Sequence, residues 1–271
     1  MSSRERGRPT HTSTSFGRPR VHLRRTGSTN ERARELAFAG APAGTLVTAS
    51  EQTAGRGRQG RRWSAPPGSS LLMSLLLRTP PPLLPLAAAV AVCDVAGRDA
   101  RIKWPNDIVV EADGGGRGTD KSTGLAKLAG ILVEGRPQED WAVLGIGVNV
   151  AVRLDQLPTE LRPDRREGEP AGSQPAGGGG LPAASMGLTP ADVEPLLARL
   201  LDALEHRLCE PAIATLEAWR AADALRGREI AWAEGRGRAE GIDGEGRLVV
   251  ALASGGHTTL GAGEVHLHGI A

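Results

Sequence analysis

Lysine and asparagine are scarce in this chain, and their positions carry information. Of 33 basic side chains, three are lysine (Lys103, Lys121 and Lys127), and the three asparagines are Asn30, Asn106 and Asn149. A composition so biased towards arginine fills an ordinary cationic or polar surface position with something else. Positions that keep Lys or Asn are therefore enriched for chemical need. Asn30 follows Ser28-Thr29 at a predicted helix start, and Asn106 lies in Lys103-Trp104-Pro105-Asn106-Asp107 between two strand-like runs. Lys127 precedes Leu128-Ala129-Gly130-Ile131-Leu132-Val133-Glu134, and Asn149 closes Gly145-Ile146-Gly147-Val148-Asn149. Each stands at the edge of an apolar element, where a rigid scaffold presents polar groups to a pocket. The compact ammonium of Lys127 suits a carboxylate and a phosphate. Lys121, inside a Gly-rich charged stretch, reads as a solvated residue. Singly, Asn106 reads as a turn, Asn149 as a strand end and Ser28 as a helix cap; their common order argues for chemistry.

A second concentration of chemistry is Gly55-Arg56-Gly57-Arg58-Gln59-Gly60. It matches GxGxxG, but a dinucleotide site also needs a helix opening at the loop and an acid about 20 residues on. Arg62-Trp63-Ser64-Ala65-Pro66-Pro67 cannot continue as a helix, and no Asp or Glu occurs between Gly60 and Asp94. That reading is rejected. Arg56, Arg58, Arg61 and Arg62 repel one another until a polyanion such as a triphosphate or an acyl phosphate neutralises them. Trp63 behind them offers a flat face to a base. Residue types alone leave two readings open: a polyanion-binding loop, and an RG-rich surface or RNA contact.

The elements that must position these groups follow from pattern. Ser28 and Glu31 have capping-box spacing at the start of a helix that stops at Gly40. Strands are predicted at 45–49, 70–78, 101–103, 107–111, 129–134 and 141–150, and Pro80–Pro85 leads into an Ala/Val helix ending near Gly97. Thr189-Pro190-Ala191-Asp192 starts a helix to about Leu208, and Pro211 another to about Leu225. Five short strands after Gly227 suggest a small β-barrel. Residues 1–20 read as a disordered basic tail. The segments 113–123 and 162–186 read as mobile surface loops without a core role. This divides the chain into a tail (1–20), a main domain (21–226) and a C-terminal domain (227–271).

Composition excludes some classes. The formal charge of +2 argues against a bulk electrostatic nucleic-acid binder, so DNA binding is not expected. No stretch reaches the ~18 apolar residues of a membrane span, and no signal-peptide core is seen, so a cytoplasmic protein without membrane contact is expected. Cys93 and Cys209 lack metal-site spacing and read as buried, inert thiols, and no metal ligands are assigned.

The ordered set GSTN (27–30), EQTAGRGRQGRRW (51–63), KWPND (103–107), KLAGILVEG (127–135) and GIGVN (145–149) resembles the biotin protein ligase family from about residue 21 to the C-terminus. The resemblance implies an α+β fold: a mixed β-sheet catalytic domain flanked by helices, biotin/lipoate ligase-like, with a small C-terminal SH3-like β-barrel. It implies ATP and biotin as substrates with Mg²⁺, formation of biotinyl-5′-AMP, and transfer of biotin to a lysine of a carboxyl-carrier domain of an acyl-CoA or pyruvate carboxylase. Carried over, Ser28, Thr29, Asn30 and Gln52 bind the biotin rings, and Arg56, Gly57 and Arg58 belong to a loop that closes over the ligand. Lys127 holds carboxylate and α-phosphate, making it and Arg58 the catalytic pair, while Gly130 and Leu132 line the biotin site. Arg58, Arg61, Trp63, Asn106, Lys127 and Asn149 serve ATP. Asp107 becomes a partner for the acceptor lysine or a metal. Some members carry an N-terminal winged helix and repress the biotin operon; the short tail here implies the monofunctional type. A homodimer is compatible with the sequence, which does not fix the oligomeric state. Two rivals stand beside this reading: a lipoate or octanoate ligase or transferase, and an Arg-rich nucleic-acid-binding protein.

Overall fold

The computed structural model describes residues 16–111, 124–135, 140–157, 181–261, 263 and 265–267. The chain begins β1 (Arg20–Leu23), α1 (Thr29–Phe38), β2 (Leu46–Ala49), then a hairpin of β3 (Gly55–Arg56) and β4 (Arg62–Trp63). It continues through β5 (Ser70–Arg78), α2 (Leu84–Ala96), β6 (Arg101–Lys103), β7 (Asp107–Glu111), β8 (Leu125–Gly135) and β9 (Trp141–Asn149). After α3 (Val193–Cys209) and α4 (Ala212–Ala221) come β10 (Glu229–Trp232), β11 (Gly235–Ile242), β12 (Leu248–Ala251), β13 (His257–Leu260) and β14 (His266–Leu267).

Seven strands form one sheet in the order β1-β2-β5-β9-β8-β7-β6, and the last five form an antiparallel sheet in the order β13-β12-β11-β10-β14. In the large sheet β1 and β2 pair in parallel and the other neighbours antiparallel, giving the mixed α+β architecture expected. Period-two alternation sorts the side chains. Leu71, Met73, Leu75 and Leu77 of β5 join Leu144, Ile146 and Val148 of β9 in the core shared with α2 and α3. On the opposite face Leu76 and Val143 pack with Ala33 and Ala37 of α1. Because both faces of β5 are covered, it reads as an almost unbroken apolar run. α3 lays down Leu196, Leu197, Leu200 and Leu204, a stripe of helical period.

The small sheet docks where β6 ends. Trp104, 2% exposed, donates its indole Nε1–H to the Gly246 carbonyl at 3.1 Å. Lys103 Nζ donates to the Val265 carbonyl at 2.8 Å, and the Arg220 guanidinium holds the Ile242 carbonyl at 3.0 Å. Gly246 has φ 78°, and a Cβ there would stand 2.5 Å from Leu86.

Several expectations are corrected. Ser28 is the N-cap of α1, but it makes no side-chain capping bond, so the capping box does not form. β8 starts at Leu125, four residues before the predicted strand, and the Gly/Arg loop contains a short hairpin. α4 ends at Ala221 because the next residues pair with β6: Ile102 N–H donates to the Ala222 carbonyl and Ala224 N–H to the Ile102 carbonyl. Residues 16–20 are not tail: Phe16 packs on the core and Gly17 N–H bonds the Gly44 carbonyl. Residues 1–15 and the 113–123 loop with Lys121 lie outside the described residues, as do 162–180 of the second loop. The end of that loop has a structural role, since Lys127 N–H donates to the Pro182 carbonyl and Ala184 N–H to the Lys127 carbonyl. Cys209 is exposed, because it is the last residue of α3, whereas Cys93 is half-buried and its thiol is pushed up to about 12 by burial.

Replacing Trp104 by Phe keeps most of the ring volume and removes the bond to Gly246. Urea unfolding should show a loss of about 1–3 kcal/mol. An unchanged midpoint would mean that this bond does not hold the two sheets together.

Candidate active site

One cleft, open to solvent, lies over β8 and β9 between α1, the β3–β4 hairpin and the edge of the small sheet. Glycine makes room for it. Gly130 of β8 and Gly147 of β9 are paired, and Gly145 lies two residues before Gly147 on the same face. A Cβ on Gly145 would stand 2.1 Å from Asn30 Oδ1, and one on Gly147 would stand 2.7 Å from the Trp63 indole. The alternation therefore leaves bare backbone where two polar residues must approach.

Lys127 reaches this face through a bulge. Ile108 pairs with Ala129 and Val109 with Lys127, so Leu128 has no ladder partner. Strict alternation from Ala129 and Ile131, which face the core, would turn Lys127 inward as well. The extra residue turns it to the face of Gly130 and Leu132. Its Nζ lies 2.6 Å from Asp107 Oδ1 and 5.7 Å from the centre of the Trp63 ring. Asp107 pairs with Gly130 in the β7–β8 ladder, which fixes the carboxylate beside the ammonium.

At one end the cleft is neutral and hydrogen-bonding. Thr29 N–H donates to Gln52 Oε1 at 2.7 Å, and the Thr29 hydroxyl to the same oxygen at 3.1 Å. Ser74 Oγ lies 2.6 Å from Asn30 Oδ1 and 2.8 Å from Thr29 Oγ1. Ser28, Thr29 and Asn30 are all buried. Towards the other end it is cationic: Arg58, Arg61, Arg62, Lys103 and Lys127 line it, with Asp107 as the carboxylate among the lining residues, while Arg56 stands beside Glu134. Arg58 Nη1 donates to Asn106 Oδ1 at 3.2 Å, and Asn106 Nδ2 donates to the Ile131 carbonyl at 2.9 Å, which pins the hairpin to β8. Burial pulls the Arg58 guanidinium down in pKa against the opposing pull of Asp107. Burial, against the pull of Asp107 and with a smaller push from Lys127, Arg61 and Arg58, brings Lys103 down to about 8. The Trp63 indole Nε1 is buried with no hydrogen-bond partner among the described residues.

The cleft brings together Ser28, Thr29, Asn30, Gln52, Arg56, Gly57, Arg58, Arg61, Trp63, Asn106, Lys127, Gly130 and Leu132. Asn149 is not among its lining residues: its Nδ2 donates to the Ala184 carbonyl at 2.9 Å, tying the incoming 181–186 segment to the end of β9. Residues that pattern reading left without a role also meet here. Ser74 had a signal, being a polar residue in a buried strand, as did the period-two glycines Gly145 and Gly147. Lys103 had the signal of its rarity, whereas Val265 had none, because their meeting spans the two sheets.

Comparison with known proteins fits this geometry. Residues 22–150 match the biotin/lipoate A/B protein ligase family, and residues 227–267 match the biotin protein ligase C terminal domain. The chain is 34% identical over 266 residues to a biotin–[acetyl-CoA-carboxylase] ligase of Paracoccus denitrificans, covering 91% of this chain and 100% of that one. It is 42% identical over 147 residues to the bifunctional ligase/repressor BirA of Bacillus subtilis, over 50% of this chain and 41% of that one. The chain thus spans less than half the length of the Bacillus relatives. A biotin protein ligase from Aquifex aeolicus, solved with biotin and ATP, superposes with a TM-score of 0.68 at 23% identity over 93% of this chain and 100% of that one, which shows a shared fold.

Lys103 makes stability depend on pH. Its ammonium is penalised by burial below about pH 8, and the unfolded chain still binds the proton up to about 10.5. Stability therefore rises with pH between those values, since the unfolded state holds more protons there. Urea titrations from pH 8 towards 10.5 should show wild type gaining on Lys103→Met. A constant or shrinking difference would contradict the burial argument.

Proposed function

The chain belongs to the biotin protein ligase family, and on that premise we propose that it activates biotin with ATP and transfers it to a lysine of a biotin carboxyl-carrier domain, such as that of an acyl-CoA or pyruvate carboxylase. The observation that carries this reading is a single cleft with a neutral hydrogen-bonding end and a cationic end, joined at Lys127. A bicyclic urea ring suits the first. Thr29, Asn30 and Gln52 are fixed there by one another and by Ser74, so their geometry is set before the ligand arrives. A triphosphate suits the second.

In the first step a biotin carboxylate oxygen attacks the α-phosphorus, forming a C–O–P linkage as the bond to pyrophosphate breaks and its electrons leave with that group. Lys127 lies between the two ends and neutralises charge on the carboxylate and the α-phosphate, while Arg58 and Arg61 serve the phosphates. Trp63 offers its ring to the base. The β3–β4 hairpin, with Gly57 at its turn, covers a mixed anhydride that water would otherwise hydrolyse. In the second step the acceptor amine attacks the carbonyl carbon, an amide bond forms, and AMP leaves with the former carboxylate oxygen. As Lys127 turns from Asp107 to the ligand, the Asp107 carboxylate becomes available to the incoming ammonium, whose proton must be lost before attack.

Magnesium accompanies the nucleotide in this reading and offsets charge on its phosphates. The chain's own part is to hold the phosphates with the cations that line the cleft, with Asp107 as the carboxylate in reach. Among the described residues no helix is long and apolar enough to cross a membrane.

Lys127→Ala should reduce biotin-dependent pyrophosphate release by about 10²–10³-fold, the scale for loss of one charge-stabilising group. Circular dichroism should stay that of the folded protein. Wild-type turnover in the variant would remove Lys127 from the mechanism, and a wild-type enzyme that forms an adenylate from lipoate but not from biotin would assign the cleft to the other acid.

A further inference from the structure

Glu134 stands outside the roles assigned so far, yet it touches two parts of the site. It follows Gly130 and Leu132 on the same face of β8. Its Oε2 accepts from Asn30 Nδ2 at 2.8 Å and its Oε1 from Arg56 Nη1 at 3.3 Å, with Arg34 Nη1 at 3.7 Å from the same Oε1. We propose that Glu134 is a positioning residue that couples recognition of the biotin rings to seating of the β3–β4 hairpin over the cleft; this rests on the biotin reading above.

The argument begins with hydrogen-bond roles. An ionised carboxylate only accepts, so it dictates which end of the Asn30 amide faces it. Nδ2 turns to Glu134, and Oδ1 is left to the Ser74 hydroxyl at 2.6 Å. Ser74, able to donate or accept, would hold either orientation, and the Leu132 carbonyl accepts from Nδ2 only at 3.4 Å, so the shorter bond to Glu134 is the stronger determinant. Asn30 is buried, so a flipped amide would aim the wrong atom at any ligand beside it. The other carboxylate oxygen holds the first strand of the hairpin.

Because one side chain makes both contacts, the two states are linked. A Glu134 that swings out with an opened hairpin leaves Asn30 Nδ2 with only its long bond to the Leu132 carbonyl, at 3.4 Å. A ligand that holds the Asn30 amide in place favours the Glu134 position that also receives Arg56. Linkage of this kind is reciprocal: closing the hairpin favours ring binding by the same factor. Glu134 is partly shielded (23% exposed) and Arg56 about half exposed (45%), so the ion pair contributes on the order of a fivefold bias towards the closed hairpin.

Glu134→Gln tests the coupling. The amide oxygen still accepts from Asn30, but the amide NH₂ then faces Arg56, which has no acceptor to offer. In the full chain, biotin should slow tryptic cleavage at Arg58, Arg61 and Arg62, and the variant should lose about fivefold of that protection. Its KM for biotin should rise by more than kcat falls, because a partly open population lowers apparent affinity and is restored at saturation. Arg56→Gln should give a similar loss, and the double variant no more than either single one. Equal protection in wild type and Glu134→Gln would overturn the proposal, as would additive losses in the double variant or a wild type that biotin does not protect. A substituted chain that unfolds earlier on heating, with KM unaltered, would assign Glu134 a structural role only. Failure of the wild type to form biotinyl adenylate would instead overturn the reading of the site, so the two failures are distinct.

Discussion

The pleat of β8 and β9 sets the terms for everything above it. Side chains on neighbouring strand positions must point to opposite faces, and one face of this pair is already committed to the core through Ala129, Ile131, Leu144 and Ile146. What remains for chemistry is every second residue. At Gly130, Gly145 and Gly147 that residue is glycine, and the missing side chains are the space into which Asn30 and Trp63 reach. The bulge at Leu128 adds the one change of phase that alternation would forbid, and Lys127 arrives on the same face. A shift of one residue in this register would turn Lys127 into the core and remove the site.

On that floor the electrostatics are deliberately unbalanced. Six cations line the cleft, while Asp107 is held against Lys127 and Glu134 against Asn30 and Arg56. Arrangements with this much like charge are completed by an anionic ligand and tightened by the exclusion of water. Lys103 is the extreme case, an ammonium 7% exposed whose bond goes to a carbonyl of the small sheet. Val265 lies on the cleft wall beside it, so the C-terminal strands contribute to the site as well as to the shape of the molecule.

Much of this was legible in the residues, and the parts that were not share a cause. β5, β6, β7 and α3 follow from local pattern, because burial and capping leave their mark within each segment. The scarce lysines and asparagines pointed to Asn30, Asn106 and Lys127, all of which line the cleft. Asn149 was drawn into the same set by its rarity, yet its amide bonds Ala184, a partner 35 residues away that no local pattern announces. The end of α4 was lost for the same reason, since its last predicted turn pairs with β6. The start of β8 was hidden because the bulge breaks the alternation by which strands are recognised. Cys209 stood in an apolar helix but on its final turn, where exposure depends on what lies beyond.

The account rests on one claim: that the neutral end of the cleft takes biotin and the cationic end drives its transfer by way of an adenylate. Intact-mass spectrometry of a biotin carboxyl-carrier domain, incubated with this protein, biotin and ATP, addresses it directly. The account predicts a mass increase of one biotinyl group on a single lysine, dependent on both biotin and ATP. A carrier domain that stays unmodified under these conditions, or a lipoyl-accepting domain modified in its place, would contradict it.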